Sequence, residues 1–88
     1  MAFRSARHVV TLFTKAGQCS LCDEAKHALL RLRKQVDFEL KEVDILEREN
    51  AEFRRLYQYD IPVIHVNGKP AQKHRVVEEK LYRLLTQS

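Results

Sequence analysis

The sequence predicts an α/β domain, a four-stranded mixed sheet flanked by three helices in the order β-α-β-α-β-β-α, and three observations carry that expectation. A β-branched and apolar run, His8–Thr14, leads into a helical pattern and then into a second alternating run, the outline of a strand–helix–strand crossover. Asn67-Gly68, set between two further strand-like runs, marks a two-residue hairpin. Cys19 and Cys22 form a C-x-x-C at the first strand–helix junction and are the only cysteines among the 88 residues.

Each element has its own signal. The run His8–Thr14 is almost continuously apolar or β-branched, as suits a strand buried on both faces and therefore central in the sheet. Leu21, Ala25, Ala28, Leu29, Leu32 and Val36 form a stripe of helical period, with Arg31, Arg33 and Lys34 toward its C-terminal end. Ser20 followed by Asp23 resembles a capping box and makes Ser20 the expected N-cap. Phe38 and Leu40 alternate with Glu39 and Lys41, giving a second strand that ends near Asp44 and runs parallel to the first. Asn50 is placed to cap a short helix bearing Phe53, Leu56 and Tyr57, which ends near Tyr59 before Asp60-Ile61-Pro62. Residues 62–66 read as the third strand and 69–74 as its return, and Pro70 marks the return as an edge. Val77, Leu81, Leu84 and Leu85 define the last helix, with Glu78 and Glu79 in its first turn.

Length and composition bound the function. One domain, 1–88, is expected, with 1–7 as a flexible leader, and 44% hydrophobic residues supply a core without staples. No apolar run approaches the roughly 20 residues that cross a bilayer, and the start lacks the apolar centre of a secretory signal. The leader is basic and free of acids, so a cytoplasmic or mitochondrial location is expected. The net charge of +4 is dispersed among alternating acids and bases, as in Glu47-Arg48-Glu49, and no nucleic-acid-binding pattern accompanies it. A monomer that binds neither nucleic acid nor membrane is the expectation.

The chemistry concentrates at the cysteine pair. Backbone N–H groups at a helix start lack intrahelical partners and carry the positive end of the dipole, so a thiolate there is stabilised. Cys19 precedes the helix and is the expected nucleophile; Cys22, in the first turn, is the expected resolving thiol that attacks what Cys19 has captured. The neighbouring Asp23 opposes a second negative charge while the dipole and Lys15 favour it. With no other cysteines, no disulfide framework forms. A redox dithiol is the leading reading, beside metal binding and an inert buried pair. Zinc would need two further ligands; His65 and His74 are the nearest candidates, but their separation fits no familiar zinc pattern, and no metal is expected.

Further motifs make the reading more specific. Leu12-Phe13-Thr14-Lys15, Cys19-Ser20-Leu21-Cys22-Asp23-Glu24-Ala25, Asp60-Ile61-Pro62-Val63, Asn67-Gly68 and His74-Arg75-Val76 together resemble a short glutaredoxin-like family of the thioredoxin fold. The resemblance spans nearly the whole chain, from Val9 to Leu85. It implies a thiol–disulfide oxidoreductase with Cys19 and Cys22 as catalytic residues and with protein or small-molecule disulfides as partners. It also implies that Pro62 is cis and lies against the cysteine pair, that the backbone of Ile61 pairs with an incoming peptide or glutathione, and that Lys15 stands near the substrate. No resident cofactor is expected, and glutathione is an optional co-substrate. The alternative the family offers is a non-catalytic binding module for a protein partner or an iron–sulfur cluster.

Departures from the glutaredoxin pattern bear on glutathione. Ser20 and Leu21 stand where glutaredoxins usually have Pro and Tyr, and Gln72-Lys73-His74-Arg75 replaces a Gly-Gly and its nearby Asp. An additional residue separates Lys15 from Cys19. Loss of the glycines removes the close backbone approach that holds the γ-glutamyl end, so weak use of glutathione is expected.

Overall fold

The computed structural model describes residues 7–87. Its elements are β1 (His8–Thr14), α1 (Ser20–Arg33), β2 (Phe38–Asp44), a 3-10 turn (Arg48–Asn50) running into α2 (Ala51–Tyr57), β3 (Val63–Val66), β4 (Lys69–Lys73) and α3 (Glu78–Thr86). The sheet order is β2-β1-β3-β4. β1 is parallel to β2 and antiparallel to β3, and β4 returns antiparallel to β3. This is the mixed α/β arrangement expected from the pattern of elements, with β1 inside the sheet and β4 at an edge.

The central position of β1 explains its composition. Val10 and Leu12 face one side of the sheet, where Ala25, Leu29 and Leu32 of α1 and Leu81 and Leu85 of α3 complete a buried cluster with Phe38, Ile64 and Val66. Phe13 faces the other side and packs with Ile45 and Val63 beneath Phe53 and Tyr57 of α2. A strand covered on both faces leaves little room for charged side chains, and β1 carries no Asp, Glu, Lys or Arg.

The β3–β4 hairpin turns where Asn67-Gly68 predicts. Asn67 has φ 53° and Gly68 has φ 83°, the left-handed pair that lets a two-residue loop follow the natural twist of its strands. The Asn67 side chain also secures the hairpin to β1: its Oδ1 accepts from the Val9 N–H at 2.9 Å, and its Nδ2 lies 3.0 Å from His8 Nδ1. In the register, Ile64 opposes Gln72 but His65 opposes Pro70, leaving Ala71 as an additional residue, a bulge in the edge strand.

Several details depart from the sequence expectations. The N-cap of α1 is Cys19, not Ser20, because the Cys19 sulfur accepts from the first-turn N–H that a serine hydroxyl would otherwise take. Asn50 makes no side-chain cap; its Nδ2 donates to the Asp44 carbonyl at 2.8 Å and ties the 3-10 turn back to β2. α2 ends at Tyr57, two positions before Tyr59, and β3 begins at Val63. β4 stops at Lys73 because His74 takes φ 75°. Leu21, Leu56 and Leu84, assigned to apolar stripes by spacing, are 51%, 50% and 46% exposed, since each lies at the rim of its helix contact. Residues 1–6 of the expected leader lie outside the described residues. Arg7, its last residue, donates to the Asp37 carboxylate and to the Phe38 carbonyl, both at 3.0 Å.

Candidate active site at the first strand–helix junction

The chain leaves β1 at Thr14 and turns through Lys15–Gln18, where the Gln18 N–H donates to the Lys15 carbonyl at 3.1 Å. Gly17 has φ 75°, a conformation a side chain resists, which accounts for a glycine in this turn. The turn delivers Cys19 in an extended conformation (φ −148°, ψ 102°), after which the backbone becomes helical at Ser20.

Cys19 and Cys22 are joined by a disulfide with their Cα atoms 5.2 Å apart. The Cys22 N–H donates to Cys19 Sγ at 3.1 Å, and the Asp23 N–H donates to the Cys19 carbonyl at 3.2 Å. Cys19 therefore caps the helix through its sulfur while its carbonyl accepts the first intrahelical bond. The two sulfurs differ in access. Cys22 is 1% exposed and part of the core, whereas Cys19 is only partly buried and its neighbours Ser20 and Leu21 are turned outward. An incoming sulfur can reach Cys19, and Cys22 lies behind it.

The sheet register brings the remaining sequence-predicted residues toward the same end. Phe13 opposes Val63, so Pro62 and Ile61 come just beyond the point where β1 gives way to the cysteine turn. The Ile61–Pro62 bond is cis, as the resemblance implies. Pro62 is buried, and its carbonyl accepts from the His74 N–H at 2.7 Å. The Ile61 side chain joins the Phe13 cluster beneath α2. Lys15 is half-buried at the first position of the turn and makes no ion pair among the described residues.

The two histidines weighed as metal ligands have separate surroundings. His65 is 9% exposed on the α2 side of the sheet, with its Nε2 2.9 Å from the Tyr57 hydroxyl and its ring 4.6 Å from that of Phe13. Burial lowers its pKa from the ordinary histidine value. His74 is exposed in the loop after β4. Among the described residues, no group of three or more His, Cys, Asp or Glu side chains is placed to share a metal ion.

Sequence reasoning did not anticipate the loop that faces the motif from the far side. Gln72 clamps the start of α3, its Oε1 accepting from the Val77 N–H and its Nε2 donating to the Val77 carbonyl, each at 3.1 Å. A groove of about 260 Å³ is lined by Leu21, Glu24 and Ala28 of α1 and by Arg75, Val76 and Glu78 opposite. Arg31 crosses it to Glu78 at 2.9 Å. The Gly-Asn-Asp chemistry of turns gives no advance notice of a Gln that bonds a backbone five residues away.

Comparison with known proteins bears on the fold and the family. A curated relative, the glutaredoxin-like protein YDR286C homolog of Dictyostelium discoideum, is 32% identical over 77 residues, covering 83% of this chain and 70% of the relative. Two solved structures share the fold. The solution NMR structure of protein Ne2328 from Nitrosomonas europaea superposes with a TM-score of 0.80 at 24% identity, over 98% of this chain and all of that one. A malarial protein superposes with a TM-score of 0.67 at 21% identity, over 91% of this chain and 94% of that one. The four-stranded mixed sheet with three helices is thus a thioredoxin-like fold. Residues 9–86 match the Glutaredoxin-like domain family (DUF836), and the chain belongs to that glutaredoxin-like family.

Proposed function

We propose that this protein is a thiol–disulfide oxidoreductase in which Cys19 attacks and Cys22 resolves. The observation that carries the reading is the Cys19–Cys22 disulfide at the mouth of α1, with one sulfur accessible and capping the helix and the other buried in its first turn. In the reduced protein, the Cys19 thiolate attacks a partner disulfide, a mixed disulfide forms, and the first partner sulfur leaves as a thiolate that takes a proton from water. The Cys22 thiol gives up its proton and attacks Cys19 Sγ. The second partner sulfur then leaves, and the intramolecular disulfide remains. Two electrons have passed from the dithiol to the partner, which is reduced to two thiols. A thiol reductant reverses these steps and restores the dithiol.

The test is direct. Equilibration of the full chain in thiol–disulfide buffers of graded potential, with trapping of free thiols, reads the fraction of Cys19–Cys22 disulfide. A single reversible two-electron transition within the span of about −270 to −120 mV held by known dithiol oxidoreductases supports the reading. A pair that stays oxidised through that span is a structural disulfide and refutes it. Glutathione is expected to be a slow reductant, because Lys73-His74-Arg75 occupies the place of the glycines that would let its backbone approach. Slow turnover in a glutathione-coupled assay on a small mixed disulfide, with the intramolecular disulfide still forming, is the expected result.

A further inference from the structure

A second groove borders the loop after β4. About 370 Å³ in volume, it lies between β4 and α3, with Ala71, Val77 and Leu84 as its aliphatic floor and Lys73, Arg75 and Lys80 along its walls. Arg75 also lines the smaller groove that opens beside Leu21, between the two cysteines in sequence, so this one residue borders both grooves. Lys73 pairs with Val63 at the end of the sheet where β1 runs into the cysteine turn, and it borders both this groove and the pocket beside Tyr57 and Asp60.

The charge around the larger groove is unbalanced. Both acids in the first turn of α3 are engaged elsewhere, Glu78 with Arg31 and Glu79 with Arg83, each at 2.9 Å. Glu24 shares the smaller groove with Arg75 and offsets part of its charge. Lys73 and Lys80 form no ion pair among the described residues, and no carboxylate lines the larger groove. The groove is also held in shape, because the two Gln72–Val77 hydrogen bonds join its strand wall to its helix wall. A cationic wall over an aliphatic floor suits a chain carrying carboxylates and alkyl side chains. The absence of aromatic rings from the lining leaves nothing for a base to stack on.

We infer that the groove between β4 and α3 docks an acidic polypeptide segment of the disulfide partner, its carboxylates on Lys73 and Lys80 and its aliphatic side chains on Val77 and Leu84. The inference rests on the dithiol reading above and names the substrate class for that site: proteins whose reactive cysteine is flanked by acidic residues. Electrostatic docking of this kind acts on encounter and is screened by salt, so its signature is an ionic-strength dependence.

Two measurements on the full chain separate this inference from the reading beneath it. Non-covalent binding is read by fluorescence anisotropy, using the Cys19→Ser variant and a pair of labelled peptides in which Ser replaces Cys. One peptide carries Glu and Leu around that serine, and the other carries Gln and Leu. Reduction is read with the corresponding disulfide-linked peptides and the unmodified protein. The expected result is about tenfold tighter binding of the Glu peptide at low salt, in keeping with a few exposed charge pairs. That preference should fall to about two- to threefold in either Lys73→Gln or Lys80→Gln, and vanish in the double variant or at high salt. Equal binding of the two peptides overturns the inference, whatever the reduction assay shows. Displacement of the Glu peptide by glutathione with the same lysine dependence also overturns it, because the groove would then hold small carboxylates. Preferential binding of the Glu peptide with no reduction of either peptide upholds the groove and refutes the dithiol reading.

Discussion

Separate alkylation of the two cysteines tests the division of roles most closely. In Cys22→Ser only Cys19 remains, and in Cys19→Ser only Cys22 remains. Both variants keep the helix start intact, since a serine at 19 still offers an oxygen to the first-turn N–H that Cys19 Sγ accepts at 3.1 Å. When Cys19 ionises, that contact becomes a hydrogen bond to a charged acceptor, which contributes about 1.5–3 kcal/mol. At 1.36 kcal/mol per tenfold, the thiolate population below the titration midpoint rises by about ten- to a hundredfold. A less basic thiolate is intrinsically less nucleophilic, with a Brønsted slope of about 0.4–0.5, so close to half of that gain on the logarithmic scale is cancelled. A three- to tenfold faster alkylation than an unperturbed cysteine remains for Cys19 at about pH 6. Cys22, 1% exposed, should react more slowly still, because burial opposes its ionisation as well as its access. Iodoacetamide rates across about pH 5 to pH 9 supply both curves, and the Cys19 curve should be displaced to lower pH. Superimposable curves for the two variants would refute the argument from helix capping and leave the pair without an activated member.

Three further outcomes follow from the packing. His65 should make the fold less stable in acid: the unfolded chain binds a proton with the ordinary histidine pKa of 6.5, while burial lowers the folded value, so the stability held above pH 6.5 declines as pH falls below it. Urea midpoints at about pH 7.5 and pH 5 measure the decline, and His65→Gln should show less of it than the natural chain; identical declines would remove His65 as the cause. Asn67→Ala should cost about 2 kcal/mol, from the left-handed conformation and the lost bonds to Val9 and His8, whereas Asn67→Gly keeps the turn and should cost about 1 kcal/mol. Leu29→Ala should cost about 3 kcal/mol or more in urea unfolding, because Leu29 is 0% exposed, and Leu84→Ala, 46% exposed, less than about 1 kcal/mol.

The topology was readable because the strand and helix periodicities were distinct and the β3–β4 turn carried its own signature. His8–Thr14 announced a strand covered on both sides, and Asn67-Gly68 announced a two-residue hairpin turn with both residues left-handed. What it concealed were relations between elements. Spacing alone put Leu21, Leu56 and Leu84 on apolar stripes, but helical spacing does not say how far a stripe is covered, and these three stay about half exposed. The capping pattern pointed to Ser20, and the actual cap, Cys19, was obscured because sulfur is not among the usual capping atoms. The Tyr57–His65 contact joins the end of a helix to the middle of a strand, and the Ala71 bulge depends on how two strands come into register. Neither has a local signature. At the site, the cysteine pair and Pro62 were legible as motif residues, whereas the Gln72–Val77 clamp and the grooves around Arg75 emerged only from the folded arrangement.

The placement of β1 at the centre of the sheet has a consequence for the order of assembly during synthesis. β1, α1 and β2 are consecutive, so their parallel crossover can begin to form once Asp44 has left the ribosome. The other neighbour of β1 is β3, which pairs Phe13 with Val63 and becomes available only after nearly three-quarters of the chain has been made. Until then one edge of β1 lacks its hydrogen-bonded neighbour, and the segment that brings Pro62 to the cysteine end is missing. The early half of the nascent chain thus carries both cysteines before β3, the strand that follows Pro62, has been made.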